Sequence, residues 1–170
     1  MSNKIHFSET QHFRQVFWVW IILIPINGLF IFGFIKQVIL HQPFGDKPAP
    51  DAVLIVAALF MAALTYLFII MRLETKITSE GIDVRFYPLQ WTYRHYTWDN
   101  MIRSFVRRYS PIGEYGGWGL RGIGKKRALN ISGNMGIQLV MQDGLNLLIG
   151  TKKPDEVTEV LKKLNKWKSE

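Results

Sequence analysis

The densest run of chemistry-bearing residues lies between Arg103 and Arg127. Within it, Tyr115-Gly116-Gly117-Trp118-Gly119-Leu120-Arg121-Gly122-Ile123-Gly124-Lys125-Lys126 sets flexible backbone beside cations, the pairing that cradles phosphate groups. Gly117, Gly119 and Gly122 match G-x-G-x-x-G. A dinucleotide fingerprint must also follow a strand and open a helix inside a βαβ unit. The residues that follow, Ala128-Leu129-Asn130-Ile131, read as a strand instead. Gly119 to Gly124 with Lys125 also matches G-x-x-x-x-G-K, but Lys126 occupies the hydroxyl position that would hold magnesium. Both nucleotide readings fail, which leaves a long, glycine-permissive connection between two strands.

The cations around that connection are the better lead. Arg103, Arg107, Arg108, Arg121, Lys125, Lys126 and Arg127 are opposed in this stretch by Glu114 alone. Folded together, they would form a patch for anionic lipid or an acidic protein face, each contributing on the order of 1 kcal/mol near an anionic surface. The competing reading is a plain solvated face. Nucleic acid is not expected as a partner, because no recognition helix or RNP-like strand motif is present. His6, His12, His41 and His95 are scattered, with no carboxylate at ligand spacing, and the chain has no cysteine, so neither a metal nor another cofactor is expected. Asp99, Glu114 and Asp143 are isolated acids and no nucleophile has a base in reach, so binding is expected here and catalysis is not. Asn130-Ile131-Ser132 fits a glycosylation acceptor, which a cytoplasmic location would make irrelevant.

The elements that must position these residues are of two kinds. Hydrophobic residues make up 48% of the 170, and their distribution is uneven. Residues 16–35 and 52–71 are each free of charge. At about 1.5 Å per residue each run spans roughly 30 Å, the thickness of a bilayer core. Soluble core helices keep at least one polar face, so both runs read as transmembrane spans. Phe13, Phe17, Trp18 and Trp20 cluster at the first, where aromatic rings favour the headgroup level. Pro25, Asn27 and Gly28 sit near its middle and suggest a kink, with Asn27 bonded to the second helix or to a partner. Ala58 and Ala62 stand one turn apart in the second and permit close helix packing. A cleavable signal is excluded by the length of the first run and the second span behind it. Lys4 and Arg14 before the hairpin, and Arg72, Lys76 and Arg85 after it, outweigh Lys36 and Lys47 in the loop, which assigns both termini to the cytoplasm.

The chain thus divides into a polar segment at 1–15, a transmembrane hairpin at 16–71 and a basic domain at 72–170. That last part holds seventeen Lys/Arg against ten Asp/Glu. Its period alternates. Leu73, Thr75 and Ile77 lead through Thr78-Ser79-Glu80-Gly81 to Ile82, Val84 and Phe86 as a hairpin. Strands are expected at 91–98, 102–109, 128–131, 136–141 and 145–149, the last two joined at Gln142-Asp143-Gly144. Pro154, Asp155 and Glu156 open a helix whose Val157, Val160, Leu161, Leu164 and Trp167 form an apolar stripe.

Ile77-Thr78-Ser79-Glu80-Gly81-Ile82, Trp98-Asp99-Asn100-Met101-Ile102, the run from Gly144 to Ile149, and Thr151-Lys152-Lys153-Pro154-Asp155-Glu156 stand in the order found in bacterial pleckstrin-homology-like domains. Residues 72–167 resemble that family. The resemblance implies a membrane α + β chain: a PH-like antiparallel β-barrel or sandwich of two orthogonal sheets with a C-terminal capping helix, in the bacterial inner membrane. It also implies a binding role toward lipids, peptides or proteins. Phosphoinositide binding is not carried over, since the first hairpin loop is tight and acidic. The expected function is an accessory or scaffold module of an inner-membrane complex, partnered by the bilayer and by a membrane protein or a second copy. The alternative is a small structural subunit of a transport or energy-transducing assembly, acting through its helices at Pro25, Asn27 and Ala58/Ala62.

Overall fold

A computed structural model describes residues 4–168. The chain forms two compact units, one of residues 14–70 and one of residues up to 13 together with those from 71 onward.

The first unit is a helical hairpin. Helix α1 (Phe17–Phe34) runs unbroken through Pro25 and continues into a π-helical turn at Ile35–Ile39. Helix α2 covers Asp51–Ile70. The spans expected at 16–35 and 52–71 are therefore helical, the first a turn longer than its charge-free run. Both are long and apolar enough to cross a membrane, and only 17% and 6% of their most apolar windows are buried. Val19, Leu23 and Leu54 make the buried seam between them. In that seam Asn27 donates to the Leu23 carbonyl at 2.7 Å and to Thr65 Oγ1 at 2.8 Å, while Thr65 donates to the Met61 carbonyl at 2.8 Å. An amide in an apolar helix needs such partners, because leaving it unpaired costs several kcal/mol (roughly 2–7 by transfer measures). Pro25, Gly28 and Ala62 face outward, and Ala58 is half-buried. Beyond α1, the Phe44 ring packs so close to Gly33 that a Cβ there would lie 2.9 Å from it. Gln37 Nε2 donates to the Ala49 carbonyl at 2.6 Å and to Asp51 Oδ1 at 2.7 Å, closing the loop over the start of α2.

The second unit holds two sheets. Strands β1 (Ile5–His12), β2 (Arg72–Thr78), β3 (Gly81–Tyr87) and β4 (Arg94–Thr97) pair antiparallel in that order. Strands β5 (Met101–Arg108), β6 (Gly119–Arg121), β7 (Lys126–Asn130), β8 (Met135–Met141) and β9 (Asn146–Gly150) form the second sheet in the order β5-β8-β9-β7-β6. Leu73, Ile77, Ile82, Val84 and Phe86 from the first sheet and Ile137, Leu139 and Ile149 from the second are fully buried. Each such side chain contributes roughly 1.5–3 kcal/mol on burial. Helix α4 (Pro154–Lys163) buries Val157 and Leu161 and touches β1, β5 and β8, so it packs on both sheets.

Three features depart from the expectation. Among the described residues no ladder joins the sheets into a closed barrel, and β7 pairs with β9 in parallel. Residues 5–12, read from the sequence only as part of a polar segment, form the edge strand of the first sheet, paired with β2. The alternation is there, yet two of its inward positions are Glu9 and Gln11, which hides it from a hydrophobic pattern. Glu9 accepts from Thr151 Oγ1 at 2.6 Å and from the Lys152 amide at 2.8 Å, and Gln11 donates to the Gly150 carbonyl at 2.8 Å. These polar inward residues tie the first sheet to the end of β9. Finally, the aromatic run at 91–98 yields only a four-residue strand, and Trp91 stands 74% exposed in the loop before it.

Candidate functional site: an arginine-lined cleft

The glycine-rich connection folds into defined structure. Ser110 caps a short helix, α3 (Pro111–Tyr115), by accepting from the Gly113 amide at 3.1 Å. Gly116 ends it in the left-handed region at φ 71°, where a side chain would be strained. Arg107 grips Glu114 with two nitrogens, at 3.1 and 2.7 Å. That contact, with the Ser110 amide, holds the Glu114 carboxyl below its ordinary pKa. Tyr115 packs on Tyr109 beside Ala128 and Leu148, and burial pushes both phenols up. Asn130, fully buried, accepts from the Gly119 amide at 2.8 Å and donates to the Tyr109 hydroxyl at 3.0 Å. No helix follows Gly122 or Gly124. The chain turns there into the β6–β7 hairpin, in which Leu120 faces Leu129. Neither phosphate-loop pattern has the helix it needs.

The seven basic residues do not gather into one patch. Arg103 and Arg108 belong to β5, at the opposite edge of the second sheet from β6. Arg107 is committed to Glu114, and also donates to Gln138 at 3.0 Å. Lys126 lies 5.3 Å from the Tyr115 ring centroid. Lys125 packs along Gly144 at the β8–β9 turn.

Arg121 and Arg127 stand on one hairpin but on opposite faces, Arg121 with Ala128 and Arg127 with Leu129 and Leu147, and both border a hollow together with a residue that sequence reasoning missed. They line a cleft of about 250 Å³ with Arg94 of β4, between the short edge strand of the first sheet and the β6–β7 hairpin of the second. Leu129 and Leu147 lie at its base, 4% and 2% exposed, and no carboxylate lines it. Arg121 Nε donates to the Trp118 carbonyl at 2.8 Å, and Arg127 Nε to the Gly124 carbonyl at 2.8 Å. Each guanidinium is thus anchored at its Nε, and that of Arg121 lies over Gly117. Among the described residues, none of the three is ion-paired. Arg94 carried no local signal. It precedes the basic run that begins at Arg103 and stands in a mostly aromatic stretch, and only the meeting of β4 with the hairpin makes it a neighbour.

A second charged cluster, on the first sheet, has the opposite character. Glu74 receives Arg72 Nε at 2.5 Å, Arg85 Nη2 at 2.6 Å and the Tyr93 hydroxyl. Burial alone would raise its pKa, but the bonds from Tyr93, Arg85 and Arg72 outweigh it and hold the carboxyl low. The Arg85 guanidinium and the Lys76 ammonium each lie 4.5 Å from the Tyr93 ring centroid. His95 meets Asp83 at 2.6 Å in the neighbouring cross-strand pair. Among the described residues, no group of His, Asp and Glu could hold a metal ion.

No family model, curated protein or solved structure matches the chain.

Proposed function

We propose that the chain is a membrane-anchored binding module. Helices α1 and α2 would cross the bilayer, and the two-sheet domain would serve as an accessory or scaffold of a membrane complex through its cationic surface, without catalysis. The observation that carries this reading is the apolar exterior of the helical hairpin. Ile21, Ile22, Ile24, Val56, Leu59 and Phe60 are all more than half exposed, a surface that water penalises at about 25 cal/mol per Å² and that lipid accepts. The pleckstrin-homology-like reading is supported by the strand-rich order and by α4 packing on both sheets. It is weakened by the open sheets and the parallel β7–β9 pair. The distribution of Lys and Arg favours both termini in the cytoplasm, and the family resemblance favours the bacterial inner membrane.

The second reading, a small subunit acting through its helices, is favoured by one observation. Pro25, Gly28 and Ala62 lie outside the hairpin's own seam and remain exposed for another helix. Fractionation and labelling test the first reading. The chain should stay in the membrane pellet after alkaline carbonate washing. Since it has no cysteine, single cysteines at Asp46 and Asp143 should report opposite sides to an impermeant maleimide. Release into the supernatant, or labelling of both from one side, would overturn it.

A further inference from the structure

We propose that the free edge of β4 binds an acidic, extended segment of a partner protein as an added strand, with one of its carboxylates held between Arg94 and Arg127. The inference deepens the binding-module reading and rests on it.

The register of β4 decides the chemistry of the edge. The Trp98 amide donates to the Glu80 carbonyl at 3.1 Å, one step beyond the Gly81–Thr97 pair. Hydrogen-bonded and non-hydrogen-bonded pairs alternate along an antiparallel ladder, so Arg94 and Tyr96 aim their amides and carbonyls at β3. His95 and Thr97 aim theirs away from it. Among the described residues β4 pairs with β3 alone, which leaves the outward groups of His95 and Thr97 without a ladder partner. Donors and acceptors at this spacing are matched by another extended backbone and by no small anion.

Elsewhere the domain covers an edge with its own residues. Helix α4 touches β1, β5 and β8, and beyond it the Lys168 amide donates to the Ser104 carbonyl of β5 at 3.0 Å. β4 has no such cover among the described residues.

The side chains decide the occupant. Arg94 lies opposite Val84 and Tyr96 opposite Ile82, both fully buried, so Arg94 and Tyr96 face the second sheet. Arg127 lies opposite Leu147, on the facing surface of β7. The two guanidiniums border one cleft from the two sheets, with no carboxylate in its lining and no ion pair among the described residues. Like charges so placed are matched by an anion, and a guanidinium offers paired donors to carboxylate oxygens. At the other end of β4, Glu80 and Asp99 stand beside Thr97. The acid of the incoming segment therefore belongs opposite Arg94, and an apolar residue belongs opposite Tyr96. Every pair in this sheet is antiparallel, so the segment reads apolar, any, acidic from its N-terminal side.

The test uses the full chain in phosphatidylcholine nanodiscs and the fluorescein-labelled peptide Thr-Val-Thr-Glu-Thr-amide, read by anisotropy. Saturable binding is expected, and the peptide with Gln in place of Glu should bind about tenfold more weakly. Arg94→Gln/Arg127→Gln should abolish that preference. Thr97 sits at φ −73° and ψ 146°, which proline adopts without strain. Thr97→Pro should therefore keep the parent's unfolding temperature and weaken binding about tenfold, while Thr97→Val, which keeps the amide, should bind like the parent. Methylating the amides of the peptide's first two threonines should weaken binding as much, and it decides the matter even if Thr97→Pro unfolds the chain. Absence of saturable binding would overturn the proposal. So would undiminished affinity of the methylated peptide, which marks charge attraction alone, or a folded Thr97→Pro chain that binds like the parent. A concentration-dependent dimer abolished by Thr97→Pro would overturn it too, since the edge would then serve a second copy. A chain that fails to enter the nanodiscs strikes the membrane reading itself; one that enters them and ignores the peptide strikes only the edge.

Discussion

Two arginine clusters in the same domain put the same side chain to different uses. On the first sheet, Arg72 and Arg85 converge on Glu74, whose side chain is only 10% exposed, and Tyr93 adds its hydroxyl. Around the β6–β7 hairpin and β4, Arg94, Arg121 and Arg127 have no ion pair among the described residues. The first arrangement gives both guanidiniums a shared carboxylate contact and so works for the fold. The second leaves guanidiniums without a carboxylate, which does little for the fold. Net charge does not separate them; local pairing does.

Breaking the first cluster should have the largest effect. Glu74→Gln keeps the shape but leaves two arginines and a tyrosine around a neutral amide. Losing one partner of a buried pair costs about 3–5 kcal/mol, and the partial exposure of Arg72 and Arg85 reduces this to about 2–3. The unfolding temperature of the detergent-solubilised chain should fall accordingly. A change of less than about 0.5 kcal/mol would mean that Glu74 holds nothing together.

Acid should distinguish the clusters in the same way. Glu74 and Glu114 both titrate below the ordinary carboxylate value of 4.5 in the folded chain. A depressed folded pKa contributes stability that is fully present above the unfolded pKa and is lost as pH falls through the folded one. Stability should therefore be level from neutral pH down to about 5, then decline below about 4.5. In Glu74→Gln the decline should be shallower. An identical slope in variant and parent would remove Glu74 from the acid response.

What is legible in the sequence follows from how local each signal is. The two apolar helices can be read directly because a charge-free run is a property of consecutive residues. The β2–β3 hairpin is legible for the same reason, with Thr78-Ser79-Glu80-Gly81 at its turn. β1 is not, because its inward Glu9 and Gln11 serve hydrogen bonds across the domain to Thr151 and Gly150 and break the hydrophobic alternation. The basic run at 103–127 points to cations but not to their partners. It includes Arg107, which Glu114 occupies, and omits Arg94, which only the tertiary fold brings to the cleft. Of the barrel or sandwich expected of the domain, the two sheets are present without closing into a barrel: β4 is short and pairs with β3 alone among the described residues.

A smaller effect is expected at Glu114. Its pair with Arg107 is about 30% exposed on both sides, which places it near the surface range of about 0.2–1 kcal/mol. The Ser110 amide it also accepts adds a neutral-range bond. Glu114→Gln should cost about 1 kcal/mol and loosen α3, read as faster amide exchange at Gly116 and Gly117. Exchange there as slow as in the parent would mean that Asn130 and the glycine cap hold the segment without the ion pair.

The smallest expected effect is the most discriminating. Arg94→Gln/Arg121→Gln/Arg127→Gln removes three positive charges, the kind of change that at Glu74's partners should be severe. At the cleft, each arginine is exposed and gives up no ion pair, and relief of mutual repulsion offsets the lost Nε bonds. Stability should stay within about 0.5 kcal/mol of the parent, with an unchanged unfolding temperature in lipid-free detergent. If the triple variant were as damaged as Glu74→Gln, the cleft arginines would be structural after all, and the contrast between the two clusters would collapse.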